Sequence, residues 1–225
     1  MAGEAGSTAT ALWSAVVASG VYHGLNPSMG WPLAVAAGLM ERRTSAFFAA
    51  LGLLTLGHML AVFLVLLPFA LLTALAGWRF AIQIGAGLLL VAFGVYRLID
   101  RRHPRGLARI PPAQLGLWSF LVAIAHGAGL MLVPFYLGLC QTVPADAGHQ
   151  AIGQAVTGDA RMALAVSVVH AAAMLAAGGS FAWVVYRYVG PGVLSRAYLN
   201  LDVVWASSLI LVGAVAIAAN LVTGM

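Results

Sequence analysis

The chain has 225 residues, of which 62% are hydrophobic and only 8% are charged, and its mean hydropathy is +0.98. These values exclude an ordinary soluble globular domain and predict a polytopic membrane protein that lies in a lipid bilayer. The eleven basic residues are all arginine and give a net charge of +5. They fall between apolar segments, where membrane topology explains them, so we predict no nucleic-acid partner. The single cysteine, Cys140, excludes an internal disulfide and a CxxC redox pair.

Six apolar segments are long enough to cross a hydrocarbon core of about 30 Å as helices. They comprise residues 10–39, 45–71, 79–99, 115–139, 161–187 and 199–223. The predicted fold is therefore all-α, with six transmembrane helices. Nine arginines lie at the first, third and fifth connections, against two, Arg79 and Arg161, at the second and fourth. This asymmetry predicts a multi-pass protein of a bacterial inner (plasma) membrane with both termini outside the cytoplasm.

A basic connection over residues 101–114 divides a single transmembrane domain into two similar halves, 1–100 and 115–225. In each half a helix with a His-Gly dipeptide, at His23 or His126, precedes a helix with one histidine, His58 or His170. A glycine-rich apolar helix follows in both halves. Because each half has three spans, the second half must insert upside down relative to the first. We therefore predict two inverted three-helix repeats, the plan of many secondary transporters.

Breaks are predicted near the membrane midplane in the first and fourth helices. Proline removes a backbone hydrogen bond and glycine weakens a helix. Asn26 and Pro27 should interrupt the first helix, and Gly127, Gly129 and Pro134 should loosen the fourth. The freed carbonyls need neighbouring protein or water, so these breaks should border a cavity rather than lipid.

Four histidines are expected at similar depth, roughly 13–20 Å into the membrane at 1.5 Å per helical residue. Ionisable side chains are rarely kept in lipid without a role, so we predict that the four share one metal site. The predicted ligands are His23, His58, His126 and His170. Two more histidines, His103 and His149, fall in predicted loops.

Methionines accompany the histidines and bear on which metal binds. Imidazole binds Cu, Ni, Co and Zn, and a thioether adds a soft donor that selects Cu(I). The additional candidate ligands are Met29, Met59, Met131 and Met174. Asp202, early in the sixth helix, is the candidate charge partner, because the other acids fall at interfaces or in loops. A site poor in carboxylates disfavours a divalent ion, so copper is favoured by a small margin over nickel, cobalt and zinc.

With a histidine in a broken first helix and a three-plus-three plan, the chain resembles a superfamily of six-helix transporters. That superfamily includes nickel/cobalt permeases, sulfite exporters, cytochrome-biogenesis membrane proteins and amino-acid exporters. The resemblance implies an inverted-repeat transporter whose first helix carries the binding motif, beginning here at His23. Nickel/cobalt permeases place an Asp-His pair a few residues later, whereas this chain has Asn26 and no second histidine there. The thiol-transporting members use cysteines at the break, and this chain has none there.

The function predicted from the sequence is a transition-metal transporter with alternating access to the histidine site, rather than an enzyme. One alternative is a membrane-embedded redox protein or enzyme in which the same histidines hold a fixed metal or a haem. Another is a proton-coupled exporter of a small organic solute, in which the histidines carry protons. A homo-oligomer and a membrane subunit of a larger complex are both compatible with the sequence.

Overall fold

The computed structural model describes residues 2–73, 79–99, 111–142, 152–189 and 201–223, and these residues contain helices and no β-strand. The all-helical prediction is therefore confirmed for the described chain. Short 3-10 turns occur at Pro27–Met29 and Pro112–Gln114. The helices are α1 (Ala2–Leu25), α2 (Trp31–Glu41), α3 (Thr44–Thr73), α4 (Arg79–Ile99), α5 (Leu115–His126), α6 (Ala128–Thr142), α7 (Ile152–Val184, continued by a π-helical turn over Val185–Val189) and α8 (Leu201–Thr223).

Two helices are long and apolar enough to cross a membrane: α3 over Thr44–Ala70 and α7 over Asp159–Tyr188. Helices α5 and α6 make a third candidate if the bent pair counts as one span. Within α4 and α8, the described apolar stretches Phe80–Tyr96 and Leu209–Val222 are shorter. The membrane-compatible part of the prediction is thus confirmed, and the count of six spans stays a prediction.

The outer face of α3 is apolar and exposed. Its large side chains lie four or eight residues apart, which places them on one side of the helix. Contact of such a surface with water is unfavourable, whereas contact with lipid hydrocarbon is favourable. The exposed side chains are Phe48, Leu56, Leu60 and Leu64.

The first predicted break is present. Helix α1 ends at Leu25, a 3-10 turn follows over Pro27–Met29, and α2 begins at Trp31. Gly30 precedes α2 with a φ of 105°, a backbone conformation that side-chain-bearing residues rarely adopt. The helix is therefore interrupted at the Asn-Pro-Ser-Met-Gly sequence.

The second break is also present, but only one of its three predicted residues makes it. Gly127, at φ 72°, separates α5 from α6, and the two helices meet at a bend of 64°. Gly129 and Pro134 lie inside helix α6 and not at the break, so their loosening of the helix stays a prediction. A Cβ on Gly129 would lie 2.5 Å from the Cβ of Val65, so this glycine permits close packing on α3. Pro134 removes a single helix hydrogen bond, which membrane helices tolerate.

The packing order places each broken helix against the continuous helix of the other half. Helix α1 packs on α7 and α5 packs on α3, while α3 and α7 contact each other between them. Helices α4 and α8 form a further pair. The elements that carry His23 and His170, and those that carry His126 and His58, are therefore direct neighbours.

Candidate metal centre

Three of the four predicted ligands converge inside the protein. His23 and His170 have no exposed surface, and His58 is 1% exposed. One ring nitrogen of each lies within 4.8 Å of those of the other two. They come from α1, α3 and α7, so three histidines that are far apart in the sequence meet at one place. This group of three is close enough to hold one metal ion.

His58 and His170 approach each other through their Nε2 atoms. Their Nε2 atoms are 3.4 Å apart, and the rings are nearly parallel, with centroids 5.5 Å apart and planes 16° apart. Two nitrogens bound to one metal at 2.0–2.1 Å would be about 3.3–3.6 Å apart in tetrahedral or trigonal geometry. The pair already has that spacing. Without a metal, the same distance is close to that of an N–H···N hydrogen bond.

His23 is held at the end of α1 by its own helix. Its Nδ1 lies 2.8 Å from the carbonyl oxygen of Ser19, one turn earlier. Since a carbonyl only accepts, Nδ1 donates, and Nε2 keeps the lone pair that a metal needs. The ring is edge-on to His58 and to His170, with centroid distances of 5.5 and 4.8 Å. This backbone contact therefore fixes both the tautomer and the direction of the ligand.

His126 has the same local construction but lies outside the group of three. It ends α5, is 7% exposed, and its Nδ1 lies 2.9 Å from the carbonyl oxygen of Val122. Its helix α5 packs on α3, which carries His58. The structure thus brings three of the four predicted ligands together and places the fourth beside them.

Glycines let the helices approach closely enough for this convergence. A Cβ on Gly24 would contact the backbone carbonyl of Met174 and lie 2.8 Å from the backbone nitrogen of Gly178. Where α3 packs on α5, Gly57 faces the backbone of Gly116. Each glycine adjoins a histidine of the group, so backbone-to-backbone packing sets the position of the ligands.

Two of the four candidate methionines line a cavity next to the histidines. Met29 and Met174, 5% and 7% exposed, border a space of about 30 Å³ together with Trp31 and Thr55. Trp31 is 6% exposed, and its Nε1 has no hydrogen-bond partner among the described residues. The residues around this space are mainly apolar, so it is a small apolar cavity beside the first break.

The other candidate partners lie elsewhere. Met131 is buried near Leu90 and Leu209 and accepts a weak hydrogen bond from the Ser19 hydroxyl, at 3.8 Å. Met59 is half-buried, although it adjoins His58. Asp202 begins α8, but its side chain lies outside the described residues, as do the loop histidines His103 and His149.

Two residues at this site were not predicted from the sequence. Ser19 presents the carbonyl that orients His23 and also contacts Met131. Its position four residues before His23 was the available signal, because it places Ser19 one helical turn away. The second is Trp31, which lines the cavity and was not among the predicted site residues.

Comparison with protein-family models, curated proteins and solved structures returns no match for the chain. The resemblance to six-helix transporters therefore stays a prediction. The chemistry of the site has to be argued from its own residues.

Proposed function

We propose that the protein is a membrane transporter of a transition-metal ion, bound by His23, His58 and His170. The observation that carries the proposal is the convergence of three buried ring nitrogens within 4.8 Å. Burying imidazoles together is unfavourable unless they share protons or a metal, and histidine is the commonest metal-binding side chain. In this proposal the protein has six spans, arranged as two inverted repeats.

The donor set favours copper among the candidate metals. The group of three contains no carboxylate, so a monovalent ion would be desolvated at lower cost than a divalent one. Met29 and Met174 border the adjacent cavity, and thioethers select Cu(I). Nickel, cobalt and zinc are the metals against which this preference is tested.

Transport, rather than a fixed metal centre, is favoured by the broken helices. His23 and His126 each lie in the last turn of the helix before a break, and a cavity adjoins the first break. Inverted-repeat transporters bind substrates at such breaks and expose them alternately to each side. A haem is disfavoured, because it takes at most two axial histidines, one on each face of the macrocycle, whereas three imidazoles converge here.

One observation favours the proton-coupled exporter as a second candidate. The Nε2 atoms of His58 and His170, 3.4 Å apart, could pass a proton between them. This candidate predicts no bound metal in the purified protein, which separates it from the first.

The test is elemental analysis of the purified protein, with Cu(I), Ni(II), Co(II) and Zn(II) titrations. We expect one metal ion per chain and a preference for Cu(I). His58→Ala and His170→Ala should each lower the affinity severely, because each removes a ligand. His103→Ala and His149→Ala are the matched controls and should bind as the wild type does. Equal metal content in all of these variants would refute the metal site.

A further inference from the structure

Resting on the proposed function, we propose a second three-histidine metal site, formed by His58, His170 and His126, which shares two ligands with the first site. In the second site His126 takes the place of His23. The ion therefore never leaves the His58–His170 pair while its third ligand changes. Exchange of the third ligand would change the side of the membrane from which the ion can be reached.

The first step of the argument is that the two exchanging histidines are built alike. His23 and His126 each occupy the last turn of the helix before a break and are each followed by glycine. The Nδ1 atoms lie 2.8 and 2.9 Å from the carbonyl four residues earlier, which makes Nε2 the ligand nitrogen in both. A histidine that served only to fill space would not need this matching orientation.

The second step concerns the central pair. His58 and His170 lie on α3 and α7, the two unbroken helices that contact each other between the broken ones. Their rings face each other at 16° with a 3.4 Å separation of the Nε2 atoms. In an inverted repeat these two histidines are each other's counterparts, as are His23 and His126. The partner set equivalent to His23, His58 and His170 is therefore His126, His170 and His58.

The third step is that the structure favours only one of the two sets. One ring nitrogen of His23 lies within 4.8 Å of the pair, whereas His126 lies outside that group, at the end of α5, which packs on the helix of His58. The first break adjoins the cavity lined by Met29 and Trp31. At the second break, a Cβ on Gly127 would lie 2.6 Å from the Phe93 ring, so this side is filled. An arrangement with one open and one filled break is one of the two states that alternating access requires.

The test compares asparagine variants, because the asparagine amide can still donate to the carbonyl one turn earlier but lacks the ligand nitrogen. His23→Asn, His126→Asn, the double variant and His58→Asn are purified whole, with His149→Asn as control. Cu(I) affinity is measured by competition with a chelator. Cu(I) transport is measured in proteoliposomes, and the number of nitrogen ligands is obtained by X-ray absorption.

Loss of either His23 or His126 should leave Cu(I) binding largely intact but should abolish Cu(I) transport. His23→Asn and His126→Asn should keep three nitrogen ligands and bind within about tenfold of the wild type, while the double variant loses roughly 10–100-fold more than the two single losses combined. Both single variants should stop transport. A structural role for His126 would not separate binding from transport in this way.

Three outcomes would overturn the second site. One is wild-type transport by His126→Asn, another is a double variant that binds as well as His23→Asn, and the third is two nitrogen ligands in His23→Asn. Should His126→Asn fail to fold, the ligand count in His23→Asn decides alone. Wild-type affinity in His58→Asn would instead remove the first site, and the proposed function with it.

Discussion

The dipeptide His-Gly precedes both helix breaks, yet its glycine has a different task in each. Gly24 lies inside α1 and allows the α1 backbone to contact the α7 backbone at Met174 and Gly178. Gly127 lies between two helices and adopts a φ of 72°, which a side chain would make unfavourable. Identical sequence signals thus produce a close contact in one half and a sharp bend in the other.

The two breaks also differ in what surrounds them. The first takes five residues, 26–30, and adjoins a cavity, whereas the second takes Gly127 alone and is filled by the Phe93 ring. A symmetrical pair of sequences therefore folds into an asymmetrical pair of sites. The comparison teaches that the histidines mark where a site can form, and that packing determines which break is open.

The largest stability effect is expected for Gly24→Ala. The added Cβ would meet backbone atoms of α7, which have no flexible end to move, so the helices must separate. We expect the free energy of unfolding to fall by about 3 kcal/mol, at the upper end of overpacking costs. Cu(I) affinity should fall as well, because His23 moves away from His170.

The control for this variant is Gly52→Ala in α3, where an added Cβ meets nothing within 4 Å. It should raise stability by about 0.5–1 kcal/mol, as expected when alanine replaces glycine inside a helix. Thermal unfolding in detergent and a Cu(I) titration measure both variants. Equal behaviour of the two would show that the contact between α1 and α7 does not position His23.

Gly127→Ala should have the next largest effect. The left-handed backbone costs an alanine about 1–2 kcal/mol, and the Phe93 ring, 2.6 Å from the new Cβ, must also move. We expect a total loss of about 2 kcal/mol. Adding Phe93→Leu should recover the stability lost to the steric clash but not the stability lost to backbone strain. If the stability change of the double variant equals the sum of the two single changes, the ring does not fill this break.

Gly30→Ala should cost less than Gly127→Ala. Its φ of 105° is strained for alanine, but the nearest atom to the added Cβ is a terminal carbon of Leu54, at 3.0 Å, which can rotate away. A loss of about 1 kcal/mol is expected from backbone strain. Thermal unfolding measured beside Gly127→Ala tests the order. A larger loss of stability in Gly30→Ala than in Gly127→Ala would mean that the side chains around the first break are the more rigid ones.

The smallest stability effect is expected for Pro27→Ala. Pro27 begins a 3-10 turn, and Gly30 still ends that turn in the variant, so the fold should persist with a change below about 1 kcal/mol. Transport of Cu(I) in proteoliposomes should nevertheless slow, because the chain at the first break becomes free to continue α1. Unchanged transport at normal stability would make Pro27 a tolerated kink without a role.

Much of the fold follows from local sequence signals. Long apolar runs predict α3 and α7, since about 20 apolar residues suit a helix in hydrocarbon, and both are confirmed. The Asn-Pro pair and Gly30 predict the first break, because proline and glycine each disfavour a continuous helix. The candidate ligands also follow from the sequence, since histidines are rare inside apolar helices. These are properties of single residues and their neighbours, so they need no tertiary information.

The tertiary structure decided how those residues combine. Whether Gly129 breaks a helix or packs against Val65 depends on how closely α3 approaches α6, which no local pattern contains. Likewise, three of the four predicted ligands converge because α1 packs on α7 and α7 on α3, at sequence separations of more than one hundred residues. The filling of the second break by Phe93 has the same origin. Depth along a helix can be counted from the sequence, but distance between helices is set by the side chains that pack between them.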